Sequence, residues 1–350
     1  MNWFAESFDT SYFFWLIFYF LIFASSLIMT FFSRFLAIKY NILDKASSAP
    51  SRKFQETPVP LFGAFGFVLV ASFATGLVWL GHKFGLISLP NLIYPFRLFW
   101  IILAILILGI VGLLDDLAKI KPRFYILGVV LAIILAVWAG GLKIEVLSYP
   151  FDSYNFGNFS YFLAFLWLLI CTASTKFVDG SDGLASTIAF VGFLTIAVTA
   201  NQINQPFIVI FAMIWAVGIL GFLPFNFPKA KLYLGDGGSL IIGFVIGVLS
   251  ILGGAKVATA GTVLGWFILD IILVMLTRII RKQNILHGDS QLHWHHRLTK
   301  IGFSRLQVLV FTTFILLVSA HIGIFFFTFA KFWIILAQLF LLIFIFLPKK

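Results

Sequence analysis

The segment LFWIILAILILGIVGLLDD, residues 98–116, decides the fold: an uncharged apolar run from Leu98 to Leu114 ends on two adjacent aspartates. A helix needs about 20 such residues to cross a bilayer. Similar runs fall at about 12–36, 59–81, 124–139, 160–175, 183–200, 206–223, 238–253, 258–277, 306–329 and 331–347, so the chain offers about eleven spans with 98–114 included. Only Ala330 and Lys331 mark the break between the last two. Of 350 residues, 61% are hydrophobic and 11% charged, with a mean hydropathy of +1.08, against about 25% charged in an ordinary soluble domain. The expected architecture is all-α, a single polytopic transmembrane domain over 1–350 with no room for a large soluble one. The stretch MNWFAESFDTSYFF has acids and no basic residue, so the first run reads as a retained span, not a cleaved signal peptide. The single cysteine, Cys171, lies inside an apolar run and reads as a packing residue.

Basic residues accumulate in cytoplasmic loops. With eleven spans and the N-terminus outside, 19 of the 24 Lys and Arg residues lie on the cytoplasmic side, and only Lys83, Arg97, Lys143, Lys256 and Lys331 lie outside. The expected orientation is N-terminus outside, C-terminus cytoplasmic. The loops at about 37–58, 115–123, 176–183, 224–238 and 278–305 then face the cytoplasm. The net charge of +11 follows from orientation and from attraction to anionic lipid headgroups, so it does not call for nucleic acid.

Only 13 residues are acidic, and those with informative neighbours gather on that one face. Asp115 and Asp116 close the third span, where the helix dipole favours cations by roughly 0.3–1 kcal/mol. They read either as a solvated end neutralised by Lys119, Lys121 and Arg123, or as a divalent-metal site or general base. The turn KFVDGSDGLAS, 176–186, puts Asp179 and Asp182 three apart before a helix whose N-terminus can hold phosphate; Asp182 as a plain N-cap is the alternative. The loop LYLGDGGS, 232–239, repeats that logic, with Gly235, Gly237 and Gly238 freeing N–H groups and Asp236 offering a hard oxygen ligand. The longest cytoplasmic loop carries HGDSQLHWHHR, 287–297. Zinc competes for its histidines, but no cysteine is near, and Arg297 suits an anion such as a pyrophosphate. Asp270 lies within the ninth span, where an acid needs a partner or a polar cavity; Arg278, two turns on, is too far for direct pairing.

Taken in order on one membrane face, GLLDD, VDGSDGLAS, LYLGDGGS, the Asp270 span and HWHHRL followed by GFSRLQV resemble the polyprenyl-phosphate N-acetylhexosamine-1-phosphate transferases. The stretch from Leu43-Asp44 through Arg52-Lys53 to Pro58-Val-Pro60, Gly63 and Gly66 is similar to that family's first cytoplasmic loop. The resemblance covers about residues 40 to 310. It implies ten or eleven spans, dependence on Mg²⁺ (with Mn²⁺ as a substitute), and transfer of a sugar 1-phosphate from a UDP-sugar to undecaprenyl phosphate with release of UMP. It also implies that Asp115 and Asp116 form the catalytic pair, one of them a base, and that Asp236 ligates the metal with a member of that pair. Asp179 and Asp182 correspond to nucleotide-site acids. Lys53, Gly235, Gly237, Gly238, His293, His295, His296 and Arg297 are the candidate substrate-binding residues, and Lys176 joins them by its own charge, as an ammonium suited to a diphosphate. The partners implied are undecaprenyl phosphate, a UDP-N-acetylhexosamine and membrane lipids; a homodimer is compatible with the pattern. The form H-x-H-H-R-L is closer to the N-acetylglucosamine branch than to the phospho-N-acetylmuramoyl-pentapeptide transferases, which remain the alternative within the family. The pattern departs at Lys176, where relatives carry asparagine, which motivates the further reading of an inactive scaffold. A transporter is the rival from another class, although transport calls for ionisable groups near the midplane and often inverted repeats. Only Asp270 is intramembrane, and no repeat is visible.

Overall fold

The computed structural model describes residues 8–44, 58–87, 95–149, 152–179, 182–253, 257–283 and 292–346. The expected helices form in order: α1 Phe8–Lys39, α2 Gly63–Lys83, α3 Pro95–Ala118, α4 Pro122–Ile134, α5 Ser160–Val178, α6 Leu184–Gln202, α7 Pro206–Asn226, α8 Asp236–Leu252 and α9 Val257–Ile280. A short α10, Trp294–Lys300, precedes α11 Arg305–Phe325 and α12 Thr328–Phe346. Two small antiparallel hairpins accompany them, β1 Leu43–Asp44 with β2 Val59–Pro60 and β3 Val146–Tyr149 with β4 Asp152–Asn155.

Among the described residues ten helices are long and apolar enough to cross a membrane: α1 to α7, with α4 prolonged by the π turn Leu135–Ala139, and α9, α11 and α12. The chain is an all-α, multi-pass membrane protein. The remaining expected span, 238–253, is α8, an apolar helix of 17 residues at the short end of the range that crosses a bilayer. Every residue from Gly238 to Ile251 is buried, so α8 runs inside the protein, packed on α3, α5 and α6.

Two expected boundaries move. The second helix begins at Gly63, because Val59–Pro60 pairs with β1. The closing pair turns at Phe326, whose backbone is extended, and Phe327, not at Ala330–Lys331. Lys331 lies in the first turn of α12, where its ammonium donates to Thr259 Oγ1 at 2.8 Å. A long aliphatic stem lets a lysine stay helical while its charge finds a polar partner, so Lys331 is no break.

The site depends on one close approach. α3 and α8 touch through Gly112 and Gly237: a Cβ added at Gly112 would run into the Gly237 Cα and N. Backbones draw together where side chains are smallest. Gly112→Ala is expected to push α3 from α8 and destabilise the protein by about 1–3 kcal/mol, the usual cost of overpacking. A lowered thermal midpoint in detergent checks this. The lone cysteine has the packing role expected of it: Cys171 is fully buried on α5, and Gly243 and Gly247 of α8 lie against it.

Candidate active site

Asp115 and Asp116 end α3 against its dipole, and α8 supplies what offsets this. The Asp236 N–H donates to both Asp116 carboxylate oxygens, at 3.0 and 3.2 Å, so the positive N-terminus of α8 meets an anion from another helix. Gly235 makes this geometry: its φ is +81°, and a Cβ there would lie 2.6 Å from Asp116 Oδ2. Gly237 and Gly238 serve packing as well. A Cβ on Gly237 would come within 3.3 Å of Gly109 O, and one on Gly238 would strike Ala64. Their smallness serves packing on α3 and α2, and the anion at the α8 N-terminus is Asp116.

Asp236 gathers the rest. Its carboxylate and that of Asp115 act on each other as like charges. Lys176, in the last turn of α5, donates to Asp236 Oδ2 at 2.6 Å and lies 3.8 Å from the centroid of the Tyr125 ring on α4. Lys119 reaches Asp115 only at 3.8 Å and is 72% exposed, so water screens it. Asp179 follows α5. Burial, then the like charges of Asp236 and Asp116, push its carboxyl well above the usual range, with Lys176 opposing.

Among the described residues no three His, Cys, Asp or Glu side chains already surround one point as metal ligands. The donor chemistry nonetheless fits a hard divalent cation. Asp236 acts electrostatically on Asp115, Asp116 and Asp179, with Lys176 and Lys119 as the opposing cations.

Asp182 is placed differently from Asp179. It is 3% exposed, pairs with Arg305 Nη1 at 2.8 Å and accepts from the Ala230 N–H at 3.3 Å. It therefore ties the loop before α6, the loop before α8 and the start of α11 together. The α6 N-terminus is capped by Asn226 from the end of α7, whose Oδ1 accepts from Gly183 N and Ser186 Oγ while its Nδ2 donates to Leu232 O. Both helix N-termini that the sequence offers to phosphate are thus engaged by side chains of the protein.

The intramembrane acid Asp270 has its partner in the histidine loop. His293 Nδ1 lies 2.6 Å from Asp270 Oδ2, and the Trp294 N–H donates to Oδ1 at 3.1 Å, with both side chains almost fully buried. The His293 ring faces Phe177 of α5, centroids 5.6 Å apart. One helix end thus carries Lys176 to the aspartates and Phe177 to the histidines. His295 stacks on His293 and lies against His296, and among the described residues neither of its ring nitrogens has a hydrogen-bond partner. Arg297 is engaged in structure: it donates to Leu292 O and Phe346 O and lies over the Phe346 ring. Burial, with His296 and His293 adjacent, holds the His295 imidazole well below its usual range and so neutral.

An unfolded histidine titrates near 6.5. The folded form takes its proton only at lower pH, so the stabilisation is full above about 6.5 and is lost as pH falls below it. Going from pH 6.5 to 5.5 is expected to cost about 1 kcal/mol through this residue. Thermal unfolding at the two pH values should show a drop that shrinks in His295→Gln.

Lys53, His287 and Asp289 lie outside the described residues. The sequence reading assigned no role to Tyr125, Phe177, Asn226 or Arg305. Asn226 carried a usable signal, an amide inside FLPFNFP; the other three depend on contacts that no local pattern announces.

Residues 98–254 match the family model described as glycosyl transferase family 4. That span holds the aspartate pair and both glycine-rich turns. Over 284 residues the chain is 31% identical to a probable undecaprenyl-phosphate N-acetylglucosaminyl 1-phosphate transferase of Bacillus subtilis (strain 168), covering 79% of this chain and 75% of that one. It is 27% identical over 282 residues to the phospho-N-acetylmuramoyl-pentapeptide-transferase of Leuconostoc citreum (strain KM20), covering 76% and 84%. A third relative, the phospho-N-acetylmuramoyl-pentapeptide-transferase of Streptococcus uberis, is 29% identical over 245 residues, covering 65% and 69%.

Proposed function

The chain belongs to glycosyl transferase family 4, and on that premise we propose that it transfers N-acetylglucosamine 1-phosphate from the UDP-sugar to undecaprenyl phosphate, releasing UMP. The reaction runs at the cytoplasmic face of a bacterial inner membrane, with Mg²⁺ as cofactor. The observation that carries this reading is the meeting of Asp116, Asp115 and Lys176 around Asp236, beside the Phe177–His293 contact.

An anionic lipid phosphate must attack an anionic phosphorus, so neutralising charge dominates the barrier. The oxygen of the lipid phosphate bonds to the sugar-bearing phosphorus as the bond to UMP breaks. Asp236, with Asp116 fixed beside it, would hold the metal, which supplies charge neutralisation on the diphosphate. Asp116 is the member of the pair held by the Asp236 N–H, and Asp115 beside it acts as the base toward the lipid phosphate. His293, set by Asp270, and the unpaired nitrogens of His295 supply polar contacts to the UDP-sugar. Asp182 and Arg297 hold loops in place.

A second reading within the family, transfer of a muramoyl-peptide phosphate, is favoured by the relatives at 27% and 29% identity; the H-x-H-H form of the loop speaks for N-acetylglucosamine. The transporter reading loses its main support, because Asp270 is engaged by His293 and Trp294. Purified protein with undecaprenyl phosphate, Mg²⁺ and a panel of UDP-sugars should release UMP with UDP-N-acetylglucosamine. If folded protein releases none with any sugar, the transferase reading fails; release with the muramoyl-pentapeptide nucleotide alone reverses the choice of sugar.

A further inference from the structure

The Lys176 ammonium is gripped from two sides: Asp236 Oδ2 at 2.6 Å and the Tyr125 ring, its centroid 3.8 Å away. The lysine comes from α5, the ring from α4 and the acid from α8, so three helices build this contact. The lysine side chain is 28% exposed and its partner's 26%, which leaves the pair partly desolvated and the attraction stronger than at an open surface. The Tyr125 hydroxyl is buried without a protein partner, so the ring is held by packing and by the cation over its face.

We propose that Lys176 is a tethered counter-cation of the aspartate cluster, which competes with the divalent metal for Asp236 and exchanges that carboxylate for the diphosphate of the UDP-sugar. The inference rests on the metal-assisted reading above. Mg²⁺ binds carboxylate oxygen at about 2.0–2.1 Å, and an ammonium hydrogen-bonded to the same oxygen repels it. Metal binding at Asp236 therefore requires the lysine to leave. The flexible lysine stem permits that, and an arriving diphosphate gives the ammonium a new anion. Nucleotide and metal then help each other to bind, because each removes what the other must displace; such couplings commonly amount to 5–150-fold. Without substrate, Lys176 keeps the acids partly neutralised.

The test uses the full-length protein in detergent, comparing wild type with Lys176→Met, which keeps the aliphatic stem over Tyr125, and with Lys176→Gln as a second neutral variant. Mn²⁺ affinity is read by electron paramagnetic resonance without nucleotide, and UDP-N-acetylglucosamine affinity is read in EDTA by calorimetry. Opposite changes are expected: Mn²⁺ binding about 10-fold tighter and metal-free nucleotide binding about 10-fold weaker in both variants. A structural role alone would weaken both. Mn²⁺ affinity that is unchanged, weaker, or absent in wild type and variants alike overturns the proposal. UMP release by the wild type, measured in parallel, reports separately on the transferase reading: release with unchanged Mn²⁺ affinities removes the counter-cation and leaves the enzyme, whereas no release removes the enzyme whatever Mn²⁺ does.

Discussion

Asp236→Asn is expected to lower UMP release by about 1,000-fold or more, the scale on which preorganised charge stabilisation acts in such sites. The substitution keeps the backbone N–H that holds Asp116, so the α3–α8 junction survives. What goes is the negative charge that faces Lys176 and acts on Asp115. Folded yield and thermal midpoint should therefore stay close to the wild type while turnover falls. Asp116→Asn should fall as far, with some loss of stability added, because its oxygens cap α8. Both variants retaining more than a tenth of the activity would remove these residues from the centre of the chemistry.

The second large effect is on stability. Asp182→Ala removes the carboxylate that Arg305 Nη1 and the Ala230 N–H share, and breaking a largely buried pair from one side costs about 3–5 kcal/mol. Arg305 is 30% exposed, so the lower end of that range applies. A double-mutant cycle with Arg305→Ala, read by thermal unfolding in detergent, should show the double variant losing much less than the two single losses added. Were Asp182 instead a group acting on the substrate, Asp182→Asn would lose turnover without losing stability.

The helices were legible because lipid imposes a simple rule: each run of apolar residues must satisfy its own backbone, so hydropathy alone places it. The rule fails where protein replaces lipid. α8, enclosed by α3, α5 and α6, faces protein along its length, a setting that hydropathy does not distinguish from lipid. It also fails at Phe326–Phe327, where a turn forms with no glycine, proline or polar cluster to announce it. In the site, chemistry-bearing types were legible by their rarity: acids and histidines in a chain this apolar have few reasons to be there. Their division of labour was not legible. Asp179 and Asp182 stand three apart in one turn, yet one is pressed among like charges and the other is paired with a guanidinium 123 residues away. Glycine behaves likewise. Gly235 bends the chain, while Gly237 and Gly238 make room for α3 and α2, a difference set by what lies opposite and not by the string GDGGS.

The bond from Arg297 to the Phe346 carbonyl joins the histidine loop to α12, of which only 11% is buried within the protein. Lys331 and Gln338 tie that helix to α9 and α11, while most of its surface is left to the acyl chains, where thickness mismatch costs fractions of a kcal/mol per Å. Arg297 thus joins the histidine loop to a helix that faces acyl chains over most of its surface, so the detergent chosen to extract the protein bears on the geometry of that loop.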